Sequence, residues 1–162
     1  MRYACCIEHS IDKHDRLALV CSFNARLVHL DDVRRRLVEA LECKHPRLAQ
    51  HTCSNNQGSY LGACLYETPV FHLFEHLILE YLVQDALAEQ SLEDAERYIS
   101  AATHRRSLHI AWSTWRDKEA GRAYIEISYQ NKERLVQAIK LALDEFNRAA
   151  REVDYDKRTY GI

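Results

Sequence analysis

The order of strand-like and helix-like segments predicts an α+β fold, in which two β-hairpins form one antiparallel sheet packed by three to four helices. The strand-like segments come in two pairs, one near the start of the sequence and one in its last third. Helical segments lie between and after these pairs and do not alternate with single strands, as a parallel sheet would require. No repeat or linker interrupts the sequence, so residues 1–162 are predicted to form a single domain.

The first hairpin is predicted from two short apolar runs, Tyr3–Glu8 and Arg16–Phe23, which are separated by a polar stretch. Asp31 is a suitable N-cap for the first helix, which should end at His45 because the residue before a proline disfavours the α region. From residue 47 to residue 67 the hydrophobic periodicity is lost, and 54–59 has the composition of a polar loop. This segment is predicted to be irregular.

The second half of the sequence predicts two further helices, a hairpin and a last helix. Thr68 and Pro69 fit the start of a long helix, since proline is tolerated at the first helical position. The predicted elements are this helix up to about Glu89, a short helix from Ser91 to about Ala102, strands over Leu108–Arg116 and Ala123–Tyr129, and a last helix capped by Asn131. The tail after Arg151 is predicted to fray.

Composition and charge exclude several classes of protein. The 22 basic and 24 acidic residues give a net charge of -2, which does not favour nucleic-acid binding. No apolar run approaches the roughly 20 residues that a membrane span needs, and the N-terminal residues lack the apolar region of a signal peptide. A cytoplasmic location is predicted, in which most of the six cysteines should be buried free thiols.

The long helix contains a motif that could bind a metal. In His72-Leu73-Phe74-Glu75-His76, the positions i, i+3 and i+4 share one helix face, so two imidazoles and a carboxylate come within reach of one ion. This is the H-x-x-E-H pattern of inverted zincins, in which the histidines bind zinc and the glutamate is the general base. The pattern therefore predicts a Zn²⁺ or other divalent-metal site with His72 and His76 as ligands and Glu75 as the catalytic base.

A catalytic zinc needs a third protein ligand in addition to the two histidines. The candidates are His51 in the irregular segment, Glu126 on the last strand and Glu80 on the motif helix. Glu80 is the weakest in geometry, because it lies about 12 Å further along the helix axis than His72.

The alternative interpretation of the motif needs no metal. Apolar residues such as Phe71, Phe74 and Ile78 form one side of the same helix. The histidines and glutamates could then be the solvated face of an amphipathic helix.

The motif and its surroundings resemble the N-terminal domain of cyanophycin synthetases. The resemblance consists of His51-Thr52-Cys53-Ser54, a glycine-containing loop, Thr68 and the block from His72 to Glu80, which match that domain's E-H-x-C-S segment, Gly-rich turn, threonine and H-x-x-E-H-x-x-L-E-L in order. It extends more weakly to Arg26–Leu30 and Ala123–Tyr129, and covers about residues 26–150.

This resemblance implies a substrate and a function. Cyanophycin is a poly-aspartate chain with arginine on its side chains, and the family's N-terminal domain binds it and, in some members, resembles a metallopeptidase. It implies a metal-dependent hydrolase of peptide or isopeptide bonds in an Arg/Asp-containing peptide or polymer, with a metallohydrolase-like fold. It equally implies an alternative, a non-catalytic accessory module that binds the polymer or a separate synthetase. These 162 residues are not expected to synthesise the polymer, because they contain no G-x-x-x-x-G-K phosphate loop and are shorter than a ligase.

Overall fold

The computed structural model describes the chain over residues 3–53, 58, 60–100 and 110–160. Within these residues the regular elements are β1 (Cys5–Lys13), β2 (Arg16–Phe23), α1 (Ala25–His29), α2 (Asp31–Lys44), α3 (Val70–Ala88), α4 (Leu92–Ile99), β3 (Ala111–Asp117), β4 (Arg122–Ser128) and α5 (Lys132–Tyr160). Three short 3₁₀ turns, Pro46–Gln50, Leu61–Ala63 and Leu65–Glu67, lie between α2 and α3. The predicted polar loop 54–59, apart from Gly58, and the predicted strand start at Leu108 lie outside the described residues.

The four strands form one antiparallel sheet in the order β1-β2-β4-β3. Both pairs of sequential strands are hairpins, and β2 and β4 join them in the middle of the sheet, where Leu19 lies opposite Ile125. The odd-numbered residues of these two strands face the helices, because side chains alternate between the faces of a sheet. The fold class predicted from the sequence is confirmed.

Helix α3 packs on this inner face of the sheet through aromatic side chains. The fully buried Phe74 ring makes edge-to-face contacts with Phe23 of β2 and Phe146 of α5, at centroid distances of 6.1 and 5.4 Å. Phe71 meets Trp115 of β3 at 4.7 Å. The predicted packing of the motif helix against the sheet is thus confirmed.

Several predicted element boundaries were wrong. Strand β1 continues to Lys13, because the polar residues after Glu8 form the solvent-facing part of an edge strand. Asp31 is the first residue of α2 instead of its cap, and its carboxylate accepts a hydrogen bond from Arg34. Thr68 likewise does not cap α3, since its hydroxyl donates to the Cys64 carbonyl.

Two predictions about the later elements had different outcomes. Asn131 does cap α5, because its side chain accepts a hydrogen bond from the Arg134 amide at 3.1 Å. The tail predicted to fray after Arg151 instead continues this helix to Tyr160.

The turn between β3 and β4 brings two backbones together. Gly121 adopts a positive φ of 67°, and its carbonyl accepts a hydrogen bond from the Phe23 amide at 2.8 Å. A Cβ atom at Gly121 would lie 2.5 Å from the Phe23 carbonyl oxygen. The turn therefore requires glycine both for its conformation and for this close approach.

Cysteine burial is lower than predicted, since only Cys5, Cys21 and Cys53 are buried and Cys6 and Cys43 are exposed. None of the helices in the described ranges is long and apolar enough to cross a bilayer. The hydrophobic core contains residues from both ends of the chain, from Ala4 to Val153.

Candidate metal centre

Three side chains that can bind a metal converge at the start of α3. His72 and His76 lie one turn apart on the helix, and their Nε2 atoms are 3.0 Å apart. The Cys53 Sγ atom lies 3.2 Å from the His72 Nε2 atom. One ligand atom from each of Cys53, His72 and His76 lies within 4.8 Å of the other two.

The irregular segment before α3 brings Cys53 to the helix. The Thr52 amide donates to the Ile99 carbonyl at 2.9 Å, and the His51 carbonyl accepts from the Leu61 amide at 2.8 Å. These bonds hold residues 51–53 across the polar side of α3. His51 and Cys53 are two positions apart in an extended stretch, so both side chains point toward the helix.

Burial keeps both histidines of the cluster in the neutral form that binds metals. His76 is 2% exposed, and burial, together with the charges of His72 and His51, holds its pKa well below the usual range. Burial also lowers the pKa of His72, which is only partly buried. A neutral imidazole offers a lone pair to a cation without first losing a proton.

His51 and Glu80 lie behind His76 and not in the cluster itself. The His51 Nδ1 atom is 3.3 Å from His76 Nδ1, and its Nε2 atom is 3.0 Å from a carboxylate oxygen of Glu80. Burial alone would raise the pKa of Glu80, but hydrogen bonds from His51 and Gln84 and the charge of Arg47 lower it. The structure therefore brings two of the three predicted third ligands close to the site. His51 contacts His76, and Glu80 contacts His51.

Glu126 is not close to the cluster at all. It alternates along β4 with the buried residues Ile125 and Ile127, so its side chain lies on the outer face of the sheet, away from α3. There its carboxylate accepts hydrogen bonds from Lys13 and Tyr124 at 2.8 and 2.7 Å, which lower its pKa to about 2. The structure does not bring this predicted third ligand to the cluster.

Glu75 lies beside the cluster, on the side of the helix that faces β3. Its carboxylate is 5% exposed and accepts a hydrogen bond from the Ser113 hydroxyl. Burial raises the pKa of Glu75 to about 7, although the bond from Ser113 acts in the opposite direction. A carboxyl group with a pKa near neutrality can both accept and release a proton at physiological pH.

The burial of this helix face contradicts the alternative interpretation of a solvated polar stripe. Glu75, His76 and Glu80 are 5%, 2% and 1% exposed. Buried polar groups are costly unless they are paired, and each of the three has a partner, Ser113 for Glu75 and His51 for His76 and Glu80.

Sequence reasoning missed Cys53 as a ligand and treated it as a core thiol. The signal was present in the His-x-Cys spacing of His51 and Cys53, which places both side chains on one side of an extended segment.

Comparisons with known proteins do not extend this assignment. No protein family, curated protein or solved structure matches the chain. The resemblance to the cyanophycin synthetase N-terminal domain therefore stays a prediction.

Proposed function

We propose that the chain is a zinc-dependent hydrolase whose metal ligands are Cys53, His72 and His76. The convergence of these three ligand atoms carries the proposal. Thiolate sulfur and imidazole nitrogen are among the preferred ligands of Zn²⁺, and three protein ligands with one open position are typical of catalytic zinc sites.

The spacing of the ligand atoms fits a tetrahedral ion. Bonds of about 2.1 Å to nitrogen and about 2.3 Å to sulfur place two nitrogens about 3.4 Å apart and a nitrogen and a sulfur about 3.6 Å apart. The observed separations are 3.0 Å between the histidine nitrogens and 3.2 Å from Cys53 Sγ to His72 Nε2. Outward shifts of a few tenths of an ångström would bring these two pairs of atoms to the tetrahedral spacing, and the Cys53 and His76 ligand atoms lie within 4.8 Å of each other.

The proton transfer is assigned to Glu75. When bound, the ion would supply a Lewis acid for the scissile carbonyl and for the attacking water. Ser113 binds one oxygen of the Glu75 carboxylate. The other oxygen, Oε1, takes the proton from the water and then passes it to the leaving amine.

The substrate in this proposal comes from the sequence resemblance. It is a peptide or isopeptide bond in a cyanophycin-like, Arg/Asp-containing peptide or polymer. The guanidinium and carboxylate groups of such a substrate would form charge-assisted bonds with side chains of opposite sign.

A second candidate is a non-catalytic binding or accessory module, for the same polymer or for a separate synthetase. The burial of Cys53, Glu75 and His76, each 5% exposed or less, favours it. A metal enclosed in this way could stabilise the fold without reaching a substrate.

Metal binding is tested first, with variants that separate the ligands from other residues. Purified protein treated with a chelator and reloaded with Zn²⁺ should hold one equivalent. Cys53→Ala and His72→Ala should lose it, and Cys64→Ala should keep it, because Cys64 contacts Thr68 and lies outside the cluster. Loading with Co²⁺ should give a thiolate charge-transfer band that Cys53→Ala abolishes and Cys64→Ala retains. Less than about a tenth of an equivalent in the wild type would contradict the metal site.

Hydrolysis is tested with the same preparations and the variant Glu75→Gln. Cyanophycin and β-Asp-Arg peptides are incubated with the zinc-loaded protein, and the products are identified by mass spectrometry. Cleavage by the wild type and none by Glu75→Gln, with zinc retained in both, would support the hydrolase. Polymer binding without cleavage in either protein would favour the accessory module.

A further inference from the structure

A row of buried polar side chains continues from the cluster into the protein. From His76 it runs through His51 to Glu80, with contacts of 3.3 and 3.0 Å. The exposed fractions of these three residues are 2%, 0% and 1%. We propose that Glu80 is a positioning residue which, acting through His51, fixes the ring tautomer of His76 so that its Nε2 atom can bind the metal. This inference rests on the proposed metal site.

The direction of the hydrogen bonds in this row follows from the carboxylate at its end. An ionised carboxylate only accepts hydrogen bonds, so His51 must donate to Glu80 from Nε2. In the proposed row His51 holds one ring proton, on Nε2, so its Nδ1 atom carries a lone pair and faces His76 Nδ1. His76 must therefore carry its proton on Nδ1, which leaves the lone pair on Nε2, the atom that faces His72. Glu80 thus determines which His76 nitrogen can bind a metal.

The second oxygen of Glu80 is held by other donors. Gln84 donates from Nε2 to Oε1 at 3.0 Å, and the Arg47 guanidinium lies 3.6 Å from the same oxygen. Both groups can only donate at this position. They leave Oε2 as the oxygen for His51 and keep the carboxylate in the orientation that the row requires.

A reversed row would be costly in this environment. In a reversed row the lone pair of His51 Nε2 would face the Glu80 carboxylate, and with water excluded two buried acceptors that face each other lose their hydrogen bond without compensation. Metal-binding histidines commonly donate their second N–H to a carboxylate or carbonyl, and removal of that partner typically weakens metal binding 10- to 100-fold. Here the carboxylate acts through an intervening imidazole.

The variant Glu80→Gln should reverse the row. The amide oxygen would face Gln84 and Arg47, because both are donors, and the amide nitrogen would then face His51. That nitrogen would donate to His51 Nε2, so His51 would donate from Nδ1 to His76 and His76 would carry its proton on Nε2. The matched control is Glu145→Gln, which neutralises another buried carboxylate, 4% exposed and paired with Lys44.

The experiment measures the tautomer and the affinity separately. ¹⁵N NMR of histidine-labelled, metal-free protein identifies the protonated ring nitrogen of His76, and competition with a chromophoric chelator gives the zinc affinity. We expect the Nδ1–H form in the wild type and in Glu145→Gln, and the Nε2–H form in Glu80→Gln with an affinity 10- to 100-fold lower. If Glu80→Gln does not fold, His51→Phe removes the same link and should give a mixture of both tautomers.

The failure of this inference can be told apart from the failure of the proposed function. An unchanged His76 tautomer in Glu80→Gln, or in His51→Phe if that variant is used, would overturn the role of Glu80, as would a zinc affinity within twofold of the Glu145→Gln value. A wild type that binds no zinc would contradict the proposed function, whereas the NMR comparison of the metal-free proteins would still decide the positioning role.

Discussion

Replacement of Glu75 by glutamine should change how the stability of the protein depends on pH. Burial raises the pKa of this carboxyl from 4.5 to about 7 in the folded protein. The folded state therefore holds a proton that the unfolded chain releases between these two values. When the folded state binds more protons than the unfolded state, the free energy of unfolding falls as pH rises. The cost of ionising Glu75 thus lowers the free energy of unfolding progressively from pH 4.5 to about pH 7, and this decrease is complete above about pH 7.

The size of the effect follows from the shift in pKa. One pKa unit corresponds to about 1.4 kcal/mol, so the cost of ionising Glu75 is about 3 kcal/mol at pH 8. Glutamine does not ionise and keeps nearly the same shape. The stability of Glu75→Gln relative to the wild type should increase by about 3 kcal/mol between pH 4.5 and pH 8.

Urea denaturation of chelator-treated protein at half-unit pH intervals measures this difference. The contributions of the histidines cancel, because both proteins contain them. Glu126→Gln is a suitable control, since the carboxylate of Glu126 stays ionised above pH 5.5 in both states and its effect should be constant there. A difference between Glu75→Gln and the wild type that does not change from pH 4.5 to pH 8 would refute the assigned environment of Glu75.

Three further predictions concern the core, the outer face of the sheet and the turn between β3 and β4. Phe74→Ala should cost about 3–5 kcal/mol in urea denaturation, because it empties a fully buried aromatic position, and Leu92→Ala, at a position 68% exposed, should cost less than about 0.5 kcal/mol. Hydrogen bonds from Lys13 and Tyr124 lower the pKa of Glu126 to about 2, so its stabilising effect is present above pH 4.5 and is lost as pH falls toward 2. The difference in unfolding free energy between the wild type and Glu126→Gln should therefore disappear in acid titration. Gly121→Ala should lower the midpoint of thermal unfolding, since its methyl group meets the Phe23 carbonyl, and a midpoint equal to that of the wild type would contradict the described turn.

The fold could be predicted from the sequence because its signals are local. The apolar run in Arg16–Phe23, the alternation of apolar and polar residues in Ala123–Tyr129 and the long apolar helix between them depend only on neighbouring positions. The same alternation also contained the information that excludes Glu126, because this residue is one position from Ile125 and Ile127 and must face the other side of the sheet.

The candidate site could be predicted only in part. The spacing of His72, Glu75 and His76 placed them on one helix, since helical periodicity is fixed by the backbone. The position of Cys53 depends on tertiary hydrogen bonds of an irregular segment, which hydrophobic periodicity does not describe. The burial of Glu80 has the same origin, because the helix face is covered by that segment.

The contacts of the candidate site and those of the central strand pair differ in how many residues separate the paired groups along the chain. His51 and Glu80 are 29 residues apart, whereas the pairing of β2 with β4 brings together groups such as Arg16 and Glu126 that are 110 residues apart. Each doubling of the loop length adds about 0.6 kcal/mol to the entropic cost of closing the loop. The first contact between β2 and β4 therefore costs about 1 kcal/mol more than the contact between His51 and Glu80. Contacts between distant residues also slow folding. The candidate metal centre is therefore the more local of the two, and its contacts are expected to form at a lower entropic cost than the pairing of the central strands.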